Sequence, residues 1–539
     1  MTDPLPLRID AATLRARLGD GAEIALLDVR DGGPFARRHL LLASSVPLAQ
    51  IELRAPVLLP RRDVRVVAMD ADGSPGGEAE RAAALLVRHG WTEVAVLDGG
   101  LAGWEAAGHE VFSGTNVPSK AFGEHVEHAY DTPRVEPAEL RRWREEGVDV
   151  VVFDSRPMEE YRQVSLPGAT DCPGAELVLR VPAAVRSPDT VVVVNCAGRT
   201  RSILGAQSLR NAGLPNPVFA LKNGTMGWHL AGLETVRGRD DLLAEPSGDG
   251  LARARAMAAE VARRWRVSFV DRAALDRMCA ERDRTTYVFD VRLPEAFAQG
   301  HLPGSLNAPG GQLVQATDVY AAVRHARIVL VDRHAVQAPM TAHWLMQMGW
   351  SDVHVLRDGL DGPLETGPVR VPALDDAAAA VPSIGVAALA DALARGAARV
   401  VDVGDSYWYR AGRIPGSAFA MRSKLAAALA KLPADAPLVV CCNDGRLAPH
   451  AARDARALGR ADVRWLDGGR AAWRASGRPV EACPPGDADP QLLTETDDMW
   501  YPPWARADDV EAAMRQYLTW EVDLLKQLER EPYLRFGPA

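Results

Sequence analysis

The residues with the clearest chemical potential in this sequence are a cysteine and the polar segment after it, VVVVNCAGRTRS (residues 191–202). The four valines predict a buried strand, and Cys196 follows close to its carboxyl end. A loop of small residues that turns into a helix points several backbone N–H groups at one place. Arg199 and Arg201 add positive charge. Such a loop should favour the thiolate of Cys196 at neutral pH, so the segment predicts a cysteine nucleophile beside an anion-binding loop.

Three roles would suit such a cysteine. A buried structural thiol explains the apolar strand, but it does not explain the glycine and the two arginines that follow. A thiolate in an anion-binding loop could instead hydrolyse phosphate esters or transfer sulfur. Cys196 and Arg201 have C-x4-R spacing, which is one residue shorter than the C-x5-R loop of cysteine phosphatases. Because a phosphoryl group needs a wider ring of N–H donors than a single sulfur does, the spacing favours sulfur transfer over a phosphatase.

The segment belongs to a unit that occurs four times in the chain. Each unit has an apolar strand ending in Asp-x-Arg or a relative (LLDVR, VFDSR, VFDVR, VVDVG), a turn of the HLPGS type, a second apolar strand with its loop, and a third apolar strand before a glycine turn. From the first aspartate to the position of the cysteine the spacing is 42 residues in three units and 40 in the fourth. That position holds Asp70, Cys196, Asp332 and Cys442. Apolar strands that alternate with helices predict a parallel sheet covered on both faces.

The repeat divides the chain into four α/β modules and a tail. The predicted modules are residues 1–114, 133–240, 266–365 and 383–482, and the predicted helical tail covers 483–539. The connecting segments, among them residues 115–132, are interpreted as linkers. The tail is expected to dock on a module as a structural helix, with recruitment of a partner as the alternative.

The Asp-x-Arg strand, the HLPGS-type turn, the GGxxxW ending and above all the CAGRTRS loop resemble those of multidomain rhodaneses, which are thiosulfate sulfurtransferases. The resemblance covers roughly residues 5–480. It implies an α/β fold of four tandem rhodanese-like modules, each a mostly parallel sheet flanked by helices, with a helical C-terminal tail. It also implies a ping-pong mechanism, in which Cys196 accepts sulfane sulfur from thiosulfate or a related persulfide donor and passes it to cyanide or a thiol.

The resemblance also assigns roles around Cys196. Arg199 and Arg201 would bind a dianionic donor and offset the charge on the leaving sulfite. The order Asp, Cys, Asp, Cys resembles a duplicated tandem rhodanese, in which the first module could form part of the pocket at Cys196. The modules with Asp70 and Asp332 are predicted to be inactive, because a carboxylate cannot hold a transferable sulfur. The predicted substrate-binding residues are Ala197, Gly198, Arg199, Thr200, Arg201 and Ser202.

The fourth module has an atypical loop after its cysteine. Arg446 stands one position earlier relative to Cys442 than Arg201 does relative to Cys196. Asp444 places a negative charge in the loop and should raise the pKa of the Cys442 thiol. Persulfide chemistry at Cys442 is therefore left open. The second candidate loop comprises Asn443, Asp444, Gly445 and Arg446.

Composition and charge limit the partners. The chain has 62 Lys and Arg against 71 Asp and Glu, a formal charge of −9, so it gives no reason to expect a nucleic acid. The N-terminus lacks a signal pattern, no apolar run approaches membrane length, and the six cysteines show no CxxC spacing. We therefore expect a cytoplasmic protein without metal, cofactor or membrane. Its partners would be a small-molecule sulfur donor and a thiol or cyanide acceptor. The sequence leaves open whether the protein forms a homodimer. A non-turnover sulfur carrier or partner-binding scaffold is the alternative.

Overall fold

The structure is a computed structural model that describes residues 6–369, 371–433, 437–484, 487–506 and 509–537. Each of the four repeats forms its own mostly parallel sheet with helices around it, and a helix lies near the C-terminus. The predicted fold class is therefore confirmed. Among the residues described, no helix combines the length and the apolar composition that spanning a bilayer requires.

Module one is built on short parallel strands. They are β1 (Leu7–Ile9), β2 (Ile24–Asp28), β3 (Ser44–Ser45), β4 (Arg65–Met69) and β5 (Val94–Leu97). The strand order is β1-β5-β4-β2, with β3 beside β2. All residues of β2 and β5 are buried, as expected for strands covered on both faces. The helices are α1 (Ala11–Gly19), α2 (Gly32–Arg37), α3 (Ile51–Leu58), α4 (Glu78–Arg88) and α5 (Gly100–Ala106).

Module two holds the CAGRTRS loop. The helices that lead to it and surround it are α6 (Val117–Tyr130), α7 (Pro137–Glu145), α8 (Met158–Gln163), α9 (Leu177–Ala184), α10 (Thr200–Asn211) and α11 (Gly224–Leu230), followed by α12 (Gly248–Arg264). Its strands are β6 (Arg134–Val135), β7 (Val150–Asp154), β8 (Ala169–Asp171), β9 (Val191–Asn195) and β10 (Val218–Leu221). They are parallel in the order β6-β10-β9-β7-β8, so β9 is central. The segment 115–132, interpreted as a linker, is in fact mostly the well-buried helix α6.

Module three repeats this arrangement. Its strands are β11 (Ser268–Val270), β12 (Thr286–Asp290), β13 (Leu306–Asn307), β14 (Val323–Arg324), β15 (Arg327–Val331) and β16 (Val353–Leu356). The parallel order is β11-β16-β15-β12-β13, whereas β14 pairs antiparallel with Ile24 and Ala25. The helices are α13 (Arg272–Ala280), α14 (Pro294–Gln299), α15 (Gly310–Gln315), α16 (Thr317–Tyr320) and α17 (Gln337–Gln347).

Module four and the tail complete the chain. The strands are β17 (Ser383–Ile384), β18 (Arg399–Asp402), β19 (Ala418–Phe419), β20 (Leu438–Cys441) and β21 (Val463–Leu466), parallel in the order β17-β21-β20-β18-β19. The helices are α18 (Ala377–Ala380), α19 (Val386–Ala394), α20 (Ser406–Ala411), α21 (Leu425–Leu429), α22 (Ala448–Ala457), α23 (Gly469–Ala475) and, in the tail, α24 (Val510–Leu528).

The chain forms two compact units. One comprises residues up to 11, 26–115 and 371–513, and the other comprises 12–25, 116–370 and residues from 514 onward. The second unit therefore contains module two, module three and most of α24. Module one was expected to help form the pocket at Cys196. In the unit that contains Cys196, however, the neighbouring module is module three.

Candidate active site

Cys196 follows directly after the central strand β9, at the end of the sheet where ligands bind in open α/β folds. This residue is 2% exposed. The preceding Asn195 donates from Nδ2 to Oδ2 of Asp154 at 2.7 Å and to the hydroxyl of Thr225 at 3.0 Å. The backbone N–H of Thr225 donates to the Cys196 carbonyl at 2.8 Å. These bonds fix the cysteine between the ends of β7 and β10.

The aspartate at the end of β7 is itself held by an arginine. Arg156 donates from Nε and Nη2 to the two carboxylate oxygens of Asp154, each at 2.8 Å, and from Nη2 to the Val164 carbonyl at 2.6 Å. Both side chains are almost completely buried. The same bidentate pair occurs at the corresponding strand ends of modules one and three. Because a carbonyl in the next turn also accepts from the arginine, the pair ties the strand end to its neighbouring turn.

Gly224 brings the start of α11 close to the cysteine loop. Its φ is +55°, and a Cβ at this position would lie 2.4 Å from the Cys196 carbonyl oxygen and 2.7 Å from that of Gly198. Only glycine accommodates both this left-handed conformation and this close approach. The loop therefore depends on a glycine that is 28 residues further along the chain.

The loop after Cys196 folds back on the thiol. The thiol donates to the Ser202 hydroxyl over 3.4 Å, and this hydroxyl donates to the Arg199 carbonyl at 2.8 Å. Ala197 supports the loop through its carbonyl, which accepts from the Met226 N–H at 3.0 Å. Helix α10 begins at Thr200, so the first turn of this helix lies beside the cysteine.

Arg201 lies close to the cysteine but is already paired. It donates from Nη1 and Nη2 to the two carboxylate oxygens of Glu160, each at 2.7 Å, and from Nη1 to Gln312 of module three at 3.3 Å. Burial disfavours its charge, but Glu160 outweighs burial and, together with the charge of Cys196, raises the pKa of Arg201. The structure thus places a permanently charged guanidinium near the thiol, with a carboxylate partner that the sequence did not reveal.

Arg199 is paired even more completely. It donates from Nε and Nη2 to Glu124 at 2.7 and 2.6 Å, from Nη2 also to Glu127, and from Nη1 to Asn223 at 3.2 Å. Burial opposes its charge, yet the carboxylates raise the pKa of Arg199. Both carboxylates belong to α6. The arginine that was expected to bind a dianionic donor is therefore held by two carboxylates.

In module three the corresponding loop has an aspartate, Asp332, at the position that Cys196 occupies in module two. Oδ1 of Asp332 accepts the backbone N–H of Ala335 at 2.9 Å, and Oδ2 accepts those of Val336 at 2.8 Å and Ala338 at 3.0 Å. Burial raises the pKa of Asp332, and the three N–H donors act in the opposite direction. The loop therefore surrounds a carboxylate with backbone donors.

Module one shows the same arrangement. The Asp70 carboxylate accepts the backbone N–H of Gly73 at Oδ1 over 2.7 Å and that of Ala79 at Oδ2 over 2.9 Å. The residue is 5% exposed. In both modules the aspartate side chain occupies the space at the centre of its loop. In modules one and three the loop thus surrounds a carboxyl group with backbone N–H donors.

In module four the thiol is in a less favourable setting. Burial, followed by the charge of Asp444, raises the pKa of Cys442 to about 12. The Cys442 Sγ lies 3.9 Å from Oδ1 of Asp444. Arg446 donates from Nη2 to the Val371 carbonyl at 2.8 Å. Gly445 has a φ of +83°, a left-handed conformation that lets the loop turn at this position. This setting favours the neutral thiol.

An arginine that sequence reasoning missed completes module four. Gly404 replaces the strand arginine, and Nε of Arg470 lies 3.3 Å from Oδ2 of Asp402 instead. Arg470 also donates to Oδ1 of Asn443. A Cβ on Gly404 would lie 2.3 Å from that Asn443 oxygen and 3.1 Å from Nη2 of Arg470. Arg470 therefore fills the space and supplies the charge of the missing arginine.

Replacing Asp444 by asparagine should make Cys442 more reactive. After burial, the charge of Asp444 is the largest contribution to the raised pKa of the Cys442 thiol, so removing this charge lowers that pKa. Labelling of Cys442 by a small methanethiosulfonate at pH 8 should therefore become about threefold faster or more. Peptide mass spectrometry follows the rate. Cys279 is an internal control, because it is exposed and belongs to module three. An unchanged rate at Cys442 would show that burial alone suppresses its reactivity.

The remaining cysteines are also free thiols. Cys172 is completely buried, and burial raises the pKa of its thiol well above the ordinary value. Cys441 is buried on the strand before Cys442 and has its pKa raised for the same reason. Within the described ranges, no group of three or more His, Cys, Asp or Glu side chains is suited to hold a metal ion.

Module three and the tail helix form the surroundings of the Cys196 loop in this unit. An apolar cavity next to Arg201 is lined from module two and from module three, whose contributions include Gly310, Val314, Met340 and Trp344. From α24, Tyr517 and Leu518 pack against Gly198. A Cβ on Gly198 would lie 3.3 Å from Cε1 of Tyr517 and 3.7 Å from Cδ2 of Leu518. The helical tail thus reaches the candidate site.

Comparisons with known proteins agree with this geometry. A crystal structure of a thiosulfate sulfurtransferase from Pseudomonas aeruginosa is 42% identical, with a TM-score of 0.88, over 98% of this chain and 99% of that chain. The thiosulfate sulfurtransferase GlpE of Pseudomonas savastanoi pv. phaseolicola is 37% identical over 87 residues, which are 16% of this chain and 82% of GlpE. An HTH-type transcriptional regulator of Mycobacterium tuberculosis is 37% identical over 101 residues, or 19% of this chain, and the match covers 43% of the regulator.

A family model of the rhodanese-like domain matches the chain four times. The matched residues are 10–107, 136–231, 271–364 and 386–476, which together make up most of the sequence. Each matched segment contains most of one of the four parallel sheets and one of the four loops described above. The chain therefore belongs to the rhodanese family and carries four rhodanese-like domains in tandem.

Proposed function

We propose that this protein is a sulfurtransferase that carries sulfane sulfur as a persulfide on Cys196. The observation that carries the proposal is the Asp332 loop, in which three backbone N–H groups donate to the carboxyl oxygens of the aspartate side chain. These N–H groups belong to the residues three, four and six positions after Asp332. The residues at the same distances after Cys196 are Arg199, Thr200 and Ser202. A persulfide anion on Cys196 would be held by the same ring of donors.

The reaction has two half-reactions. The Cys196 thiolate attacks the outer sulfur of thiosulfate, a new S–S bond forms, the S–S bond of thiosulfate breaks, and sulfite leaves with its electron pair. In the second half-reaction an acceptor attacks the outer sulfur of the persulfide, and the electron pair of the broken bond returns to Cys196. Cyanide gives thiocyanate and a thiol gives a new persulfide. No cofactor is required for either step.

The donor is thiosulfate or a related persulfide. The thiosulfate sulfurtransferases among the similar proteins support thiosulfate. Because Arg199 and Arg201 are paired with carboxylates, the backbone N–H groups of the loop are left as the main donors to a bound anion. The modules with Asp70 and Asp332 are proposed to be inactive, and Cys442 is proposed to take no sulfur at neutral pH. A cytoplasmic location and a homodimer stay predictions from the sequence.

Loading with sulfur tests the proposal directly. After incubation with thiosulfate and removal of the excess, we expect the mass of one sulfur atom on the Cys196 peptide and none on the Cys442 peptide. Cyanide should then remove the sulfur and release an equal amount of thiocyanate. A stable persulfide that no acceptor discharges would instead indicate a carrier or scaffold. Hydrolysis of an aryl phosphate without thiocyanate formation would indicate a phosphatase.

A further inference from the structure

The tail helix α24 places a buried carboxylate against the cysteine loop. Glu521 is 0% exposed. Its Oε2 would lie 3.1 Å from a Cβ on Gly198, so this oxygen faces the loop two residues after Cys196. The charge of Cys196 also acts on the nearby Tyr517 hydroxyl, whose pKa is raised well above its ordinary value, first by burial and next by Glu521. A side chain from the far end of the sequence therefore contributes charge to the site.

The two oxygens of this carboxylate are used differently. Oε1 accepts from the Lys120 ammonium at 2.7 Å, from the Tyr517 hydroxyl at 3.0 Å and from the Thr200 hydroxyl at 3.4 Å. Oε2 is buried and accepts no hydrogen bond from any residue that the structure describes. A buried carboxylate oxygen without a donor is costly, and it is a ready acceptor for a positively charged group.

The charged side chains around the loop include more carboxylates than cations. Four carboxylates face three cations, because Arg199 pairs with two of the carboxylates, Arg201 with one and Lys120 with one. A further cation, Arg134, contacts Glu127 at 3.1 Å, but its side chain is 45% exposed and is therefore screened by solvent. A persulfide on Cys196 would add one more negative charge. The four carboxylates are Glu124, Glu127, Glu160 and Glu521.

We propose that Glu521 is a specificity-determining residue that makes the Cys196 site prefer sulfur acceptors with a positively charged nitrogen, the class of amino thiols. The inference rests on the proposed persulfide chemistry and names its acceptor. The cation of the acceptor offsets the excess negative charge of the site, and Oε2 is the acceptor atom left for it. An anionic donor experiences the opposite effect, since the same carboxylate repels it.

The step itself needs no further reactant. The acceptor thiolate attacks the outer sulfur of the Cys196 persulfide, a new S–S bond forms, and the bond between Sγ of Cys196 and the outer sulfur breaks. The electron pair returns to Cys196 as the thiolate, and the acceptor leaves as an amino persulfide. No electrons are gained from or lost to a third compound.

The wild-type protein provides the first test. Cysteamine and N-acetylcysteamine share a thiol and a short carbon chain, but only cysteamine carries an ammonium. With thiosulfate-loaded protein and equal thiolate concentrations, kcat/KM for cysteamine should exceed that for N-acetylcysteamine by about fivefold or more. Equal values in the wild-type protein would overturn the proposal without any mutant.

Glu521→Gln provides the second test. Glutamine keeps an oxygen for Lys120 and Tyr517 but removes the charge, so the preference for cysteamine should fall by about fivefold, toward equality. Loading by the thiosulfate dianion should become faster in the same variant. Asp523→Asn is the matched control, since this residue lies in the same helix and is exposed. It should change neither half-reaction.

Opposite changes in the two half-reactions distinguish specificity from structure. If Glu521→Gln slowed loading and discharge alike, Glu521 would only hold the loop in place, and the proposal would be wrong. An unchanged preference for cysteamine would also contradict it. A wild-type protein that takes up no sulfur at all would refute the proposed function, whereas a protein that loads normally and discharges to both thiols equally would refute only this inference.

Discussion

Replacing Cys196 by alanine should lower thiosulfate:cyanide transfer by about a thousandfold or more, whereas replacing Cys442 by alanine should leave the rate near that of the wild-type protein. Cys196 lies in the loop whose counterparts in modules one and three direct backbone N–H groups at an aspartate side chain. The Cys442 thiol has its pKa raised to about 12 by burial and by Asp444, and so remains neutral at physiological pH. Initial rates of thiocyanate formation measure both effects.

The two cysteine variants control for each other. Both residues are 2% exposed and both directly follow a central strand, so the two substitutions remove the same atoms from equivalent positions, each in its own module. Thermal unfolding of each variant checks that the fold persists. Activity that survived in Cys196→Ala and disappeared in Cys442→Ala would show that the site has been assigned to the wrong module.

Gly224→Ala should destabilise module two by about 2–4 kcal/mol and remove most of the transfer activity. The new Cβ would face the carbonyl oxygens of Cys196 and Gly198 at 2.4 and 2.7 Å in a left-handed backbone conformation. Relief of these contacts requires the cysteine loop to move away from α11, which breaks the ring of N–H donors. Calorimetric unfolding and the thiocyanate assay report the two consequences.

Gly213→Ala is the matched control for that variant. Gly213 also has a left-handed backbone, with φ +77°, but a Cβ there meets nothing within 4 Å. Gly213→Ala should therefore lower the free energy of unfolding by only about 1 kcal/mol, because of backbone strain, and leave the transfer rate unchanged. If the two variants were equally stable and equally active, the close packing of Gly224 on the loop would not control its geometry.

The fold was largely predictable because its signals are local. Strands such as Val191–Asn195 are continuous apolar runs, and the spacing of 42 residues between Asp154 and Cys196 and between Asp290 and Asp332 fixes the repeat. The parallel sheet and the position of each loop at the carboxyl end of a strand follow from this pattern in an α/β fold. Each of these features is visible in a stretch of about one module.

The partners of the loop were not predictable because they are distant in sequence. Glu124 is 75 residues from Arg199, and Glu521 is 321 residues from Thr200, so their contacts depend on how α6 and α24 dock rather than on any local pattern. The segment around Glu124 was interpreted as a linker, although it forms the buried helix α6. Arg470 did carry a signal, since the other modules have leucine or threonine at its position.

The aspartates at the centres of the loops in modules one and three have a consequence for anion binding in those modules. Each loop directs backbone N–H groups at the carboxyl oxygens of its own aspartate, which is covalently part of the chain. A free anion would have to compete with a group that a covalent tether holds at the same place. Because a tethered group has a high effective concentration, we expect a free anion to be excluded from both loops.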